Sequence, residues 1–318
     1  MAETQRDTAP LAVCLMGPTA SRKTEVAIDL CKRFPFEIVS VDSALVYRGM
    51  DIGTAKPDAA TLARVPHHLV DIRDPEEPYS AGEFVRDSRA AMADIRSAGR
   101  VPLLVGGTMM YFRSLVQGIA ALPAADPELR AAIDAEAAER GWPALHAELA
   151  DVDPASATRI EANDSQRIQR ALEVYRASGR TLSEWHAADD AGAGGTDRFV
   201  QLALVPEPRS VLHARIEARL DRMLAGGFLA ELEALRRRQG LTADAPSMRS
   251  VGYRQFWAHL DGQSNFDEAR YRALVATRQL AKRQITWLRS MPEVRWHDPL
   301  ESASIDAISG FLIPFLNA

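Results

Sequence analysis

Cysteine is scarce: the chain has two, Cys14 and Cys31, in 318 residues, with seven histidines. Both cysteines fall at core-like positions near one glycine-containing turn, so neither a disulfide framework nor a zinc-binding set follows. Long apolar runs are missing as well. No stretch approaches the roughly 20 residues that span a bilayer, and the opening MAETQRDTAP lacks the apolar segment of a secretory leader. No membrane partner and a cytoplasmic location are the expectation. Positive charge is not in excess either, with 38 Lys and Arg against 43 Asp and Glu, a formal net charge of −5. That balance argues against a chain coated for nucleic acid, although a local basic face survives within an acidic average.

Hydrophobic residues make up 47% and charged residues 25%, which is ordinary for a globular protein with a sizeable core. The length exceeds one average domain, so a large domain with an insertion, or two domains, is expected.

The stretch that organises the chain is residues 11–24, LAVCLMGPTASRKT. Its apolar run has the length and residue mix of a buried strand. After the turn at Gly17, Lys23 and Thr24 open a segment with Val26, Ala27, Leu30 and Cys31 at helical spacing. Strand, turn and helix are the setting of a phosphate-binding loop, in which backbone N–H groups and the positive end of the helix face an anion. Here Gly17, Pro18, Thr19, Ala20, Ser21, Arg22, Lys23 and Thr24 would cradle phosphate, with Lys23 adding a point charge for the anion and the Thr24 hydroxyl placed to ligate Mg²⁺. Arg22 breaks the pattern, because it stands where the second glycine of G-x-x-x-x-G-K-[ST] belongs. It is either a steric fault or an added cation. The competing reading is an ordinary Gly/Pro turn capped by Ser21.

Two more apolar runs, residues 37–41 and 101–105, end in Asp42-Ser43 and in Gly106-Gly107-Thr108. Ligands of an open parallel sheet bind beyond the carboxyl ends of its strands, so all three ends aim at one crevice. Asp42 also reads as the N-cap of a following turn. His67-His68 has no third ligand at zinc spacing and is expected to serve structure. Residues 83–97 form a crossover helix by their apolar spacing.

From residue 122 to 197 strand-like runs stop, and alanine-rich, charged helical segments follow, with capping signals at Asp126 and at Asn163-Asp164. A helical insertion over 122–197 is expected, closed by the flexible ADDAGAGGTDR, between core segments 11–121 and 198–318 and after a disordered tail over 1–10. Residues 199–205 resume the sheet, and the chain is helical beyond Pro206, with a break at Gly226-Gly227. Polar and basic residues at 166–170 make either a solvated face or an RNA contact. Residues 269–290 form a helix with Arg278, Lys282 and Arg289 along one stripe, which suits a phosphodiester backbone better than a compact metabolite. A solvated face is the alternative.

Taken together, GPTASRKT at 17–24, VDSALVYRGMDIGTAKP at 41–57, LLVGGTMMYFRSL at 103–115, NDSQRIQRALEVYRASG at 163–179, SMRSVGYRQFW at 247–257 and TRQLAKRQITWLR at 277–289 resemble the tRNA dimethylallyltransferase (tRNA isopentenyltransferase) family. The matches run through nearly the whole chain in the family's order. The resemblance implies an α/β fold, a P-loop NTPase-like parallel sheet flanked by helices, with an all-helical insertion that grips a tRNA anticodon stem-loop. It implies transfer of a dimethylallyl group from dimethylallyl diphosphate to N6 of adenosine 37 in tRNAs reading codons that begin with U. Asp42 would be the general base, Thr108 a hydrogen-bonding partner that helps place the amine or donor oxygen, the loop would hold diphosphate, and Thr24 would ligate Mg²⁺. The tRNA contacts it implies are Asp42, Ser43, Ala44 and Leu45; Gln166, Arg167, Ile168, Gln169 and Arg170; Arg249, Ser250, Val251, Gly252, Tyr253 and Arg254; and Lys282, Arg283, Gln284, Ile285, Thr286, Trp287, Leu288 and Arg289. Arg215 and Arg219 stand as further diphosphate ligands, and a monomer is expected. Three other readings remain open: a P-loop small-molecule kinase, which has no use for the C-terminal basic helix; a non-catalytic RNA-binding module, which has none for Asp42; and an isopentenyltransferase acting on free AMP or ADP, which does not need the basic patch of the insertion.

Overall fold

Apolar residues on both faces of a short run mark a strand covered on both sides. Leu11–Met16 (β1) and Phe36–Val41 (β2) meet that description and are buried along nearly their whole length. Between them, Lys23–Arg33 (α1) turns Val26, Ala27 and Leu30 inward. Ala59–Arg64 (α2) and the two-residue strand His67–His68 (β3) follow. Then come Ala81–Ser97 (α3), Val101–Gly106 (β4) and Met109–Gln117 (α4). A full capping box opens α3: Ser80 Oγ accepts the Glu83 N–H at 3.2 Å, and the Glu83 carboxylate accepts the Ser80 N–H at 2.8 Å.

Helices then follow one another without a strand: Pro127–Arg140 (α5), Trp142–Val152 (α6), Pro154–Ala157 (α7), Ser165–Ser178 (α8) and Leu182–Asp190 (α9). The sheet resumes with Arg198–Leu204 (β5). After it come Arg209–Ala225 (α10), Phe228–Arg236 (α11), Tyr253–Leu260 (α12) and Phe266–Ser290 (α13). Arg295–His297 (β6) and Ser304–Leu316 (α14) complete the chain, and neither stands out in the sequence. The computed structural model describes residues 9–118, 122–190 and 197–316. The tail expected over 1–10 falls, for residues 1–8, outside them, as do residues 191–196 of the expected flexible closure.

Among the described residues, six strands form one all-parallel sheet in the order β3-β2-β4-β1-β5-β6. Because side chains alternate along a strand, Ala12, Cys14 and Met16 enter one apolar layer with Phe84, Met92 and Phe256, while Val13 and Leu15 enter the other with Leu30, Ile308 and Leu312. The register sets up the site. Gly106 lies opposite both Val41 and Met16, so residues 17, 42 and 107 leave the sheet at one level from neighbouring strands about 4.8 Å apart.

By contacts the chain divides into two compact units, Met1–Val116 with Thr196–Ala318, and Gln117–Gly195. The second unit has its own core, built from Ile133, Leu145, Leu149, Ile168 and Leu172. Its central polar feature is Glu173, fully buried and held by Arg130 at 2.9 and 3.1 Å, Arg170 at 2.7 Å and the Asp126 N–H at 2.8 Å.

Candidate active site

Beyond the aligned ends of β1, β2 and β4 lies a cavity of ≈ 560 Å³, lined by residues 19–25, 42–45, 53–55 and 105–110 together with arginines of α10 and residues of α13. The three strand ends singled out in the sequence do converge on it.

The β1 end is the loop. Arg22 occupies the N-cap of α1 at φ 61°, ψ 20°, a left-handed conformation that glycine adopts freely and a side chain adopts at a cost of about 1 kcal/mol. Arg22 thus holds a backbone conformation that suits glycine. The side chain turns aside, and its Nη1 donates to the Pro299 carbonyl at 3.4 Å. Lys23 folds back over the turn, with Nζ donating to Pro18 O at 2.6 Å and to Ser21 Oγ at 3.4 Å. Burial pushes this ammonium down to about 7; Arg219 adds to the shift, while Asp42 and Glu25 oppose it. An anion in the loop would restore the charge that burial disfavours. Thr24 also lines the cavity.

Two arginines of α10 close the cationic side. Arg215 Nε donates to Ala20 O at 2.8 Å, and Arg219 Nη2 donates to Thr54 O at 2.8 Å. Burial holds the Arg219 guanidinium below its ordinary value.

At the β2 end Asp42 makes a tight turn: its Oδ1 accepts the N–H groups of Ala44 at 2.9 Å and Leu45 at 3.3 Å. Thr108, at the β4 end, is bound to this turn through Oγ1, which accepts the Ser43 N–H at 3.1 Å and donates to Ser43 Oγ at 3.4 Å. Carboxylate and hydroxyl are thus fixed side by side opposite the cationic loop. Such an arrangement can accept a proton from a nucleophile while a diphosphate departs into the cations.

One polar partner, Glu231, escaped the sequence reading, and Gln284, expected there as an RNA contact, is used in a different way. Glu231 of α11 receives the N–H groups of Asp51, Ile52 and Gly53 at 2.9, 2.6 and 3.1 Å, and the Tyr253 hydroxyl at 2.5 Å. It pins the loop that carries Thr54. Gln284 of α13 bonds to both Thr19 and Gly107. The sequence signal for each is only a polar residue at a position that helical spacing would bury.

The residues expected to meet RNA divide by exposure. In the insertion, Gln166 and Arg167 are exposed, and Arg167 pairs with Asp164 at 2.8 Å; Ile168 is in the core. Gln169 donates to Asp134 at 2.6 Å, and Arg170 is occupied by Glu173 and by Pro123 O at 2.8 Å. Arg249 and Arg254 are exposed, Ser250 and Val251 line the cavity, and Gly252 and Tyr253 are buried. Along α13, Lys282, Arg283, Thr286 and Arg289 are exposed, Ile285 and Trp287 are half-buried, and Gln284 and Leu288 are buried. Arg278 of the expected stripe pairs with Glu217 at 3.1 Å. Packing therefore divides each run: Ile168, Gly252 and Leu288 are buried, and the buried Tyr253 and Gln284 border the cavity.

Elsewhere, His68 Nε2 meets the buried Glu37 carboxylate, which also receives Arg100, a structural use for that histidine. Among the described residues, no group of three or more His, Cys, Asp or Glu is arranged for a metal, and no helix is long and apolar enough to cross a membrane.

Comparison with known proteins agrees with this geometry. The family model described as IPP transferase matches residues 45–291. The chain is 56% identical over 308 residues to the tRNA dimethylallyltransferase of Ralstonia nicotianae, covering 95% of each, and 61% identical over 283 residues to that of Thiobacillus denitrificans, covering 89% of this chain and 90% of the relative. Among solved structures, the full-length tRNA isopentenylpyrophosphate transferase of Bacillus halodurans superposes with a TM-score of 0.71 at 34% identity, covering 98% of this chain and 97% of that one. A eukaryotic dimethylallyltransferase acting on tRNA gives 0.79 at 25% identity, over 96% and 78%. With a family model that spans most of the chain and relatives that share more than half of its residues, this chain belongs to the IPP transferase family.

Proposed function

We propose that this chain transfers a dimethylallyl group from dimethylallyl diphosphate to N6 of adenosine 37, beside the anticodon, in tRNAs that read codons beginning with U. The observation that carries the reading is the meeting of a cationic, anion-cradling loop with a fixed carboxylate and hydroxyl in one cavity of a family chain. The N6 lone pair attacks the allylic carbon and a C–N bond forms. The C–O bond breaks, its electron pair leaves with diphosphate, and the N6 proton passes to Asp42.

Each group has a task in that step. Oδ1 of Asp42 is held by two N–H groups, which leaves Oδ2 for the amine. Thr108 keeps the turn in place and offers its hydroxyl to the amine or donor oxygen. Lys23, Arg215, Arg219 and the loop N–H groups take up the charge developing on diphosphate. Thr24 would hold Mg²⁺, and the fit is good: it is a hard oxygen donor on the cavity wall, and Mg²⁺ takes one or two protein ligands, completing its shell with phosphate and water. When bound, Mg²⁺ neutralises diphosphate charge.

The adenine must leave its stack, at a cost of a few kcal/mol that is least in a loop. Exposed Gln166, Arg167, Arg249, Arg254, Lys282, Arg283 and Arg289 would offset this by gripping the anticodon stem-loop backbone. Every assigned role falls within one chain, and we infer a cytoplasmic monomer.

The test supplies labelled dimethylallyl diphosphate, Mg²⁺ and stem-loops with adenosine or guanosine at position 37. Label in the adenosine RNA alone is expected. Label in neither RNA, together with phosphoryl transfer from ATP, would replace the transferase with a kinase.

A further inference from the structure

Gln284 follows the exposed pair Lys282 and Arg283 on α13, yet it is only 9% exposed itself, and both ends of its amide are used inside the protein. Oε1 accepts the Thr19 N–H at 3.1 Å, and Nε2 donates to Gly107 O at 2.8 Å. Thr19 belongs to the diphosphate loop after β1. Gly107 precedes Thr108 in the loop after β4. The fit is close on the Gly107 side, since a Cβ there would stand 2.4 Å from Nε2; glycine is what lets the amide reach that carbonyl. A side-chain amide offers an acceptor at one end and a donor at the other, matching the N–H and the C=O that face it.

We propose that Gln284 is a positioning residue for the donor site, a strut between the two loops that fixes the separation of the phosphate cradle from the Thr108 hydroxyl and the Asp42 turn bonded to it. The inference rests on the transferase reading above. It assigns Gln284 to the donor side of the reaction and not to the RNA surface formed by its neighbours Lys282 and Arg283. Without the strut, two backbone groups lose their partners and the loops are free to drift apart. Donor binding and chemistry then suffer together, because a misplacement of about 1 Å at a reacting centre is enough to slow catalysis.

The test is Gln284→Met in the full chain, which keeps side-chain length and removes both hydrogen bonds. Four quantities are measured: kcat, donor KM, affinity for inorganic pyrophosphate with Mg²⁺ by calorimetry, and stem-loop dissociation constant by filter binding. We expect donor KM to rise about 10-fold, pyrophosphate affinity to fall in parallel, and kcat to drop about 10-fold, while the stem-loop dissociation constant stays within about twofold. A merely structural role would lower kcat through a smaller folded fraction and leave donor KM alone. Weaker stem-loop binding with unchanged donor KM and pyrophosphate affinity would make Gln284 an RNA contact and overturn the proposal, as would no change in any quantity. If Gln284→Met does not fold, Gln284→Glu has the same shape, keeps the acceptor for Thr19 and loses the donor for Gly107. It is expected to raise donor KM at constant stem-loop affinity, and constant donor KM overturns the proposal in the same way. Wild-type protein that transfers no label defeats the transferase reading itself; active wild type with indifferent variants defeats only the strut.

Discussion

At position 22 the backbone asks for glycine and the chain supplies arginine. The left-handed φ of 61° at Arg22 explains why a phosphate loop favours glycine there, a requirement that the motif contains but the sequence cannot show geometrically. Relief of that conformation in Arg22→Gly is worth about 1 kcal/mol, and the added freedom of glycine in the unfolded chain takes back a similar amount. Stability is therefore predicted to stay within about 0.5 kcal/mol, while the apparent KM for dimethylallyl diphosphate falls because glycine lets the loop backbone approach the anion with no Cβ in the way. Denaturant titration and donor-dependent kinetics check the two halves; an unchanged or higher KM would show that Arg22 is harmless or contributes to binding.

The elements that carry the site were the legible ones. Strands at 11–16 and 101–106, the turn after each, and the caps at Asp126 and Asp164 depend on residues adjacent in sequence, and their signals are local. What was not legible depends on partners far apart: Glu231 collecting N–H groups from residues 51–53, Gln284 spanning two loops, and β6, whose three residues find a strand identity only by pairing with β5. Runs read as uniform RNA contacts resolve into exposed and buried positions once the helices pack. In α8 the same packing buries Glu173 among arginines. Burial alone would raise its carboxyl, but the hydrogen bonds from Arg130, Arg170 and the Asp126 N–H outweigh it, and the group lies below its ordinary value of 4.5. A depressed carboxyl stabilises the fold above the unfolded-state value and loses that contribution as pH falls. Glu173→Gln is predicted to destabilise the helical unit at pH 7 by about 3 kcal/mol, toward the low end for a broken buried pair because the arginines stay partly in water. The gap between variant and wild type should narrow as pH falls below 4.5; urea titrations at neutral and acid pH measure it, and a constant gap would contradict the ion-pair account.

On the scale of the whole molecule, a chain of net charge −5 meets an RNA only through local basic faces, and so its affinity should fall steeply with salt. Lys282→Ala is predicted to weaken stem-loop binding and to reduce the slope of log affinity against log salt by about 0.7, the value for one phosphate contact on a single strand. Filter binding across a salt series measures it, and an unchanged slope would remove Lys282 from the RNA surface. In the proposed reaction three aligned strand ends meet, with Asp42 receiving the N6 proton. The most direct measurement is the single-turnover rate of Asp42→Asn, with enzyme, labelled donor and adenosine-37 stem-loop all bound. The rate is expected to fall by about 10²–10⁴, with pyrophosphate and stem-loop affinities nearly unchanged. A rate close to that of the wild type would contradict that role for Asp42.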